Sequence, residues 1–522
     1  MKGLSALFFA VGLAAPLIAQ AQQHPRDREI HDADTLAWWH TTEALSNDSM
    51  EGRDTGSAAY QRAADYVANR FKAAGLEPAG ENGGYFQSVP MHEVSVTPEG
   101  TSFVLVNRDG TATALNFLQQ ITIAPSEDLP AQLEAALTFR GYCGKETMAD
   151  IAGKVVVCFG TQREGMPGGA VRMANALEGN ALGLINVDDP YFSIEPPRWP
   201  FAYARTVTLR SQATGTTRPR SLPAMRLSAE AFAMLLTGTG QDAGAILKLG
   251  GAKQPLPNFE IPRRIRAQLR ITQRDISSPN ILAKLRGSDS KLRDEHVVIA
   301  AHLDGYGFGT PVNGDNLYNG ALDDAAYVAL LIQMADDLKA LKLRRPERSI
   351  LFAAFTGEEK GLLGSRWFVD HPTVPAEQLA ADVNLDQLRP LFPLNILTAE
   401  ALSDTTLGQT ARTVAGPLHI EIRPDTEPER NLLRRADQYP FLTIHVPAIS
   451  FIFGYDPNTD AEKRYREWYQ IRYHRPQDDL TQPMDFAAAA KFNTFFYDLI
   501  EAIGHAPMRP AIYPTSSFAA AH

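Results

Sequence analysis

His302, Asp304, Asp323, Glu358, Glu359, Asp386 and His474 are the residues of this chain whose types and placement can do chemistry together. His302 and Asp304 follow the apolar run HVVIAA, Glu358 and Glu359 follow SILFAAF, and Asp386 closes the short run DVNL. Two imidazoles and three carboxylates are the donor mixture expected of a pair of zinc ions, with one carboxylate bridging and positions left open for water. One glutamate then remains to act as a base. Taken singly, each has a plainer explanation. Asp323 and Asp324 could cap a helix, Glu358 and Glu359 could favour a helix dipole, and His474 in the loop RYHRPQDDL could be a surface histidine. The set taken together, with three of its blocks closing apolar runs, is what argues for chemistry.

Those runs belong to an alternation that begins after Pro257. HVVIAA and SILFAAF read as buried strands, and the stretches Ala321 to Leu341 and Lys360 to Phe368 read as helices. PAISFIFG from Pro447 is a further strand, and a closing helix is expected from Phe486 to Ile503. Strand and helix in alternation predict an α/β fold, a mostly parallel mixed sheet flanked by helices. In such sheets ligands collect outside the carboxyl ends of the strands, where these residues fall.

Ahead of that alternation, Asp34 to about Gly75 reads as two helices, the second starting at Ser57, with Ala64, Val67, Ala68 and Phe71 on one face. From about Gln132 to Gly250 the texture changes to short β-rich runs such as ALTF and KVVVCFG, broken by Gly and Pro, with the loop EPPRWP in the middle. This predicts a smaller β-rich domain, residues 132–250, inserted into a larger domain made of 22–131 and 251–522. A chain of 522 residues is long enough for both.

Composition sets the remaining bounds. With 44% apolar and 21% charged residues the body is globular, and a net charge of -10 without a basic run argues against nucleic acid or an anionic membrane as partner. Lys2, the apolar stretch Leu4 to Ala19 and the small-x-small sequence Ala19-Gln20-Ala21 read as a signal peptide over 1–21, with the mature chain beginning near Gln22. No later stretch is apolar enough to span a bilayer, so the expectation is a periplasmic or secreted product without membrane insertion. The two cysteines, Cys143 and Cys158, exclude a cysteine zinc site and a disulfide framework, and could form one bridge.

Read in order, AHLDGYG, NGALDDAA, FTGEEKGLLGS, NLDQL, RRADQYPF and YHRPQDDL resemble the successive blocks of metallopeptidase family 28, the group of bacterial two-zinc aminopeptidases, glutamate carboxypeptidases and glutaminyl cyclases. The blocks MEGRDTGS and FKAAGLEP extend the resemblance ahead of the insertion, which itself resembles a protease-associated domain. The resemblance implies a zinc-exopeptidase fold and two Zn2+ per chain. Asp323 would be the bridging ligand, His302 and Asp386 would complete one site, and Glu359 and His474 the other. It makes Glu358 the general base, and gives Asp304 the task of orienting the ring of His302. The chain departs from the pattern at Ala326 and Tyr327, which changes packing and not metal binding, and at Gln387, Leu388, Arg389 and Ala436, so substrate preference does not carry over.

The resemblance therefore implies a peptide substrate and, as the favoured reaction, removal of amino-terminal residues. Glutamate-releasing carboxypeptidase action would need basic groups in the cleft, for which Arg389 and Arg435 are candidates. Glutaminyl cyclisation generally works with one zinc, whereas His302 and Asp323 together favour two. A non-catalytic binding protein would be expected to lack ligands, and none is missing. The inserted domain is expected to act as a lid or substrate-size filter.

Overall fold

A computed structural model describes residues 24, 26–160, 165–210, 221–386 and 388–520. The segment 1–21, expected to be a signal peptide, and Gln387 lie outside the described residues.

The main sheet has ten strands among the described residues. At its centre Ala448–Phe453, Leu379–Asn384, His296–His302 and Ser349–Phe355 run parallel. These strands are buried on both faces, which is why they read as continuous apolar runs. Antiparallel strands flank them: Ile271–Leu285, Phe86–Val96 and Ala204–Leu209 on one side, Ile396–Glu400 on the other, with Glu421–Pro424 at that edge.

Helices Ala33–Ser46, Ala58–Ala73, Ala326–Lys339 and Phe486–Gly504 cover one face and form the largest core with the sheet. Side chains fix where three of them begin. Asp32 accepts from Thr35 N–H at 2.7 Å, Ser57 from Tyr60 N–H at 3.0 Å, and Asp485 from Ala488 N–H at 2.9 Å. Trp38 reaches across and donates its Nε1–H to the Ala326 carbonyl at 2.6 Å, tying the first helix to the start of the third. No helix among the described residues is long and apolar enough to cross a membrane.

A second sheet of eight strands draws on residues 102–268, with a core of its own. Its strands start before and end after the stretch 132–250 in which the sequence texture changes. Within that stretch, Ala204–Leu209 does not join the second sheet but pairs with Phe86–Val96 at the edge of the main one. The strand pins the preceding loop, Asp188 to Ala202, against the main domain. Cys143 and Cys158, both fully buried, form a disulfide beneath the second sheet.

Candidate metal centre

The ends of three parallel strands lie side by side. His302 is the last residue of its strand and pairs with Phe355, three residues before Glu358, while Ala300 pairs with Asn384, two residues before Asp386. His302, Glu358, Glu359 and Asp386 therefore converge without any helix being needed to aim them.

Asp323 arrives from a wide turn, Ala321–Ala325. The sequence predicts a helix from Ala321, but the α-helix begins at Ala326, and neither aspartate caps it. Asp478 holds the turn open instead, its carboxylate accepting Leu322 N–H and Asp323 N–H at 3.0 Å each. Gly320 has φ 62°, and a Cβ there would lie 2.4 Å from the Asp323 carbonyl oxygen, so only glycine fits. Asp324 turns the other way, accepts the His302 backbone N–H at 3.2 Å and is fully buried.

Two groups of side chains that could hold a metal ion result, His302 with Asp323 and Asp386, and Asp323 with Glu359 and His474; in each one donor atom per residue lies within 4.8 Å of the others. Asp323 is common to both. Its Oδ1 is 3.3 Å from His302 Nε2 and its Oδ2 is 3.4 Å from His474 Nε2, while Glu359 Oε2 is 3.3 Å from the same His474 nitrogen. Asp386 Oδ1 and Glu358 Oε2 stand 4.0 and 3.9 Å from His302 Nε2. Glu358 belongs to neither group.

The donors suit metal ions. His302 Nε2, Asp323 Oδ2 and Glu359 Oε1 are buried and make no hydrogen bond among the described residues, an arrangement that is costly unless a cation meets them. A cavity of about 10 Å³ beside Asp323, Glu359 and His474 has room for one ion or water. Burial, with the cations of Arg198 and Arg435 adding to it against Asp323, holds His474 well below its usual pKa, so its ring is the neutral form a metal requires. His302 shifts the other way: burial disfavours its charge, but Glu358 and Asp324 overcome that and keep a proton where a metal would sit. For Asp323, burial is outweighed by the close approach of His302 and the charge of Arg389, and its carboxyl is held below the usual range.

Several supporting contacts lie within the blocks the sequence singles out, and of these only that of Asp304 with His302 was expected. Asp304 meets the ring of His302 through its backbone, with His302 Nδ1 3.0 Å from the Asp304 carbonyl oxygen. Its carboxylate accepts Thr55 Oγ1–H at 2.8 Å and Glu358 N–H at 3.1 Å, so it orients the proposed base as well as the ligand. The hydroxyl of Tyr306 lies 3.0 Å from His474 Nδ1. Arg53, fully buried, donates to the carbonyls of Leu45, Leu303, Asn319 and Gly320, and so ties together the loops that carry Asp304 and Asp323. An arginine surrounded by glycine and small polar residues in MEGRDTGS was the only signal available for it.

The two arginines considered for a substrate carboxylate lie against groups of the protein itself. Arg389 is fully buried against Trp468, 4.3 Å from the ring centroid, and lies 3.6 Å from Asp323 Oδ2. Arg435 donates twice to Glu195, at 2.7 and 3.1 Å. Glu195 and Arg198 come from the Asp188 to Ala202 loop, and with Tyr306, Arg435, His474 and Arg475 they line a cavity of about 350 Å³ next to the ligand groups.

Residues 280–499 match the model of the family described as Peptidase family M28. Among curated proteins the chain is similar to a probable zinc metalloprotease of Pyrenophora teres f. teres (strain 0-1), 25% identical over 250 residues that cover 45% of this chain and 50% of that protein. It is also similar to aminopeptidase YwaD of Bacillus subtilis (strain 168), 26% identical over 209 residues, 39% of this chain and 40% of that one. The chain spans about half the length of the curated relatives it matches. In fold it is similar to an aminopeptidase from Aneurinibacillus sp. strain AM-1, with a TM-score of 0.60 at 16% identity over 92% of this chain and 96% of that one.

Proposed function

We propose, taking the match of residues 280–499 to peptidase family M28 as the premise, that this chain is an exported zinc metallopeptidase that removes residues from the amino ends of peptides. The observation that carries this reading is the sharing of Asp323 between two three-residue ligand groups. His302, Asp323 and Asp386 would hold one zinc, Asp323, Glu359 and His474 the other. When bound, such ions supply Lewis acidity, which makes water acidic near neutral pH and polarises a carbonyl.

The chain's own residues do the rest. Burial pushes the Glu358 carboxyl up; His302 offsets this in part and Asp386 and Glu359 add to it, so Glu358 is suited to hold a proton during turnover. It takes the proton from the attacking water and gives it to the departing amine nitrogen. Asp304, accepting Glu358 N–H, keeps the base in place.

The similarity to proteins named as aminopeptidases supports amino-terminal action. So do the pairing of Arg435 with Glu195, which occupies its guanidinium, and the burial of Arg389 behind Asp323. We read residues 132–250 as a protease-associated-like insertion whose Asp188 to Ala202 loop roofs the cleft. The Cys143–Cys158 disulfide fits an oxidising compartment, periplasmic or extracellular, reached through a signal peptide at 1–21.

The test is an assay of the purified protein on amino-acid nitroanilides, blocked and unblocked, with zinc counted on the same sample and Glu358→Ala alongside. At least two zinc ions per chain and cleavage of free-amine substrates only, lost in the variant with its zinc retained, is the expected result. Cleavage of blocked substrates, or activity that survives in Glu358→Ala, would overturn it.

A further inference from the structure

Away from the central cleft, the described residues bring two imidazoles and a carboxylate together at one more place. His40 and Glu43 are one turn apart on the helix Ala33–Ser46, so they share a face. His24 meets them from the segment ahead of that helix, and one ligand atom from each of the three lies within 4.8 Å of the others. The rings of His24 and His40 stack with centroids 4.0 Å apart, and His24 Nδ1 pairs with Glu43 Oε2. Glu43 is buried, and apart from that pairing with His24 its Oε2 makes no hydrogen bond among the described residues. The adjacent cation does not serve it, because Arg26 is spent on Glu29 and on the Gln482 carbonyl.

We propose that His24, His40 and Glu43 form a third metal site, separate from the central pair, for a divalent ion of the zinc type. Two imidazoles with one carboxylate select zinc, copper or nickel over magnesium and calcium, which require a shell of oxygens. Asp27 completes the arrangement: its Oδ1 is 2.7 Å from His40 Nε2, and a proton held there leaves Nδ1 with the lone pair a metal needs. The half-exposed histidine rings can turn to close the triangle, and the open groove beside them admits water as a fourth ligand. The ion would fasten the segment before the first helix onto that helix. Arg26 already ties the same segment to the closing helix, with its guanidinium 4.8 Å from the Phe486 ring centroid.

The experiment is equilibrium dialysis of the zinc-loaded protein against micromolar zinc, with zinc per chain counted for the native protein and for His40→Ala, Glu43→Gln and His24→Ala. The native chain is expected to hold one zinc more than each variant, with nitroanilide hydrolysis the same in all. His24→Ala lies outside the helix, so it keeps the comparison valid if His40→Ala disturbs folding. Because the difference between proteins is read, the outcome does not depend on how many ions the central cleft holds. Equal zinc in the native protein and the three variants would reduce the cluster to an ion pair and overturn the site.

Discussion

The hydroxyl of Tyr306 lies 3.0 Å from Nδ1 of His474, while Nε2 of the same ring faces Asp323 and Glu359. Tyr306 thus holds the ring from behind and fixes which nitrogen is offered to a metal. The Tyr306→Phe variant keeps the ring's packing and removes only that bond. It should release zinc from the His474 side more readily, with affinity down roughly 10- to 100-fold, as for other partners of metal-bound histidines. Competition with a chromogenic chelator measures this directly, and unchanged zinc release would assign Tyr306 to packing alone.

Removing the metals should invert the dependence of stability on pH. Burial raises the carboxyls of Glu358 and Glu359 well above their usual range in the metal-free fold, Asp437 to about 7 and Asp478 to about 6. Between pH about 4.5 and 7 the folded chain therefore keeps protons that the unfolded chain has released, and stability falls as pH rises. His302, raised in the fold, works in the same direction; His474, lowered, works against it below its unfolded value. The chelated protein should melt at a higher temperature near pH 5 than near pH 7.5. The zinc-loaded protein should do the reverse, because its ligands must be deprotonated to bind. A chelated protein that is more stable at the higher pH would contradict the assignment of these buried acids.

Cys143 and Cys158 are 15 residues apart and both buried within the second sheet's domain. Closing a loop of that size contributes about 3 kcal/mol. The double variant Cys143→Ala, Cys158→Ala should lose that much by denaturant unfolding while keeping its full zinc content, since no ligand lies in that domain. Loss of zinc with the disulfide would mean that the two domains unfold as one unit.

Part of the candidate ligand set was legible because chemistry at a strand end is a local signal: a buried apolar run followed at once by His302 or by Glu358-Glu359 can be read from neighbours alone. The contacts that support it were not. Tyr306 and His474 are far apart in sequence, as are Thr55 and Asp304, and nothing local to either member of a pair announces the other. Helix starts slipped for the same reason. Ala321 to Ala325 has helical composition, but Asp478 captures its backbone N–H groups from a distant loop. A β-rich run such as Ala204–Leu209 looks alike whichever sheet it joins, so its pairing with the main sheet was invisible in the texture that set 132–250 apart.

That pairing carries the last prediction, because it delivers Glu195 to Arg435. Glu195 accepts from Arg435 at 2.7 and 3.1 Å and from Arg198 at 3.2 Å, and Arg475 donates to the carbonyls of Pro200 and Trp199 at 2.6 and 3.0 Å. These bonds fasten the loop that walls the 350 Å³ cavity beside His474. Truncating one member of a fully buried, hydrogen-bonded charge pair costs about 2–5 kcal/mol; this pair is partly exposed and costs less, but about 1.4 kcal/mol is enough to shift an open–closed balance tenfold. In Glu195→Ala the wall should open more often. If the loop limits substrate size, kcat/KM for a pentapeptide should rise several-fold relative to that for a single-residue nitroanilide. Arg435→Ala, which breaks the same pair from the other side, should move the ratio in the same direction. An equal loss on short and long substrates in both variants would mean instead that the pair shapes the site that every substrate uses.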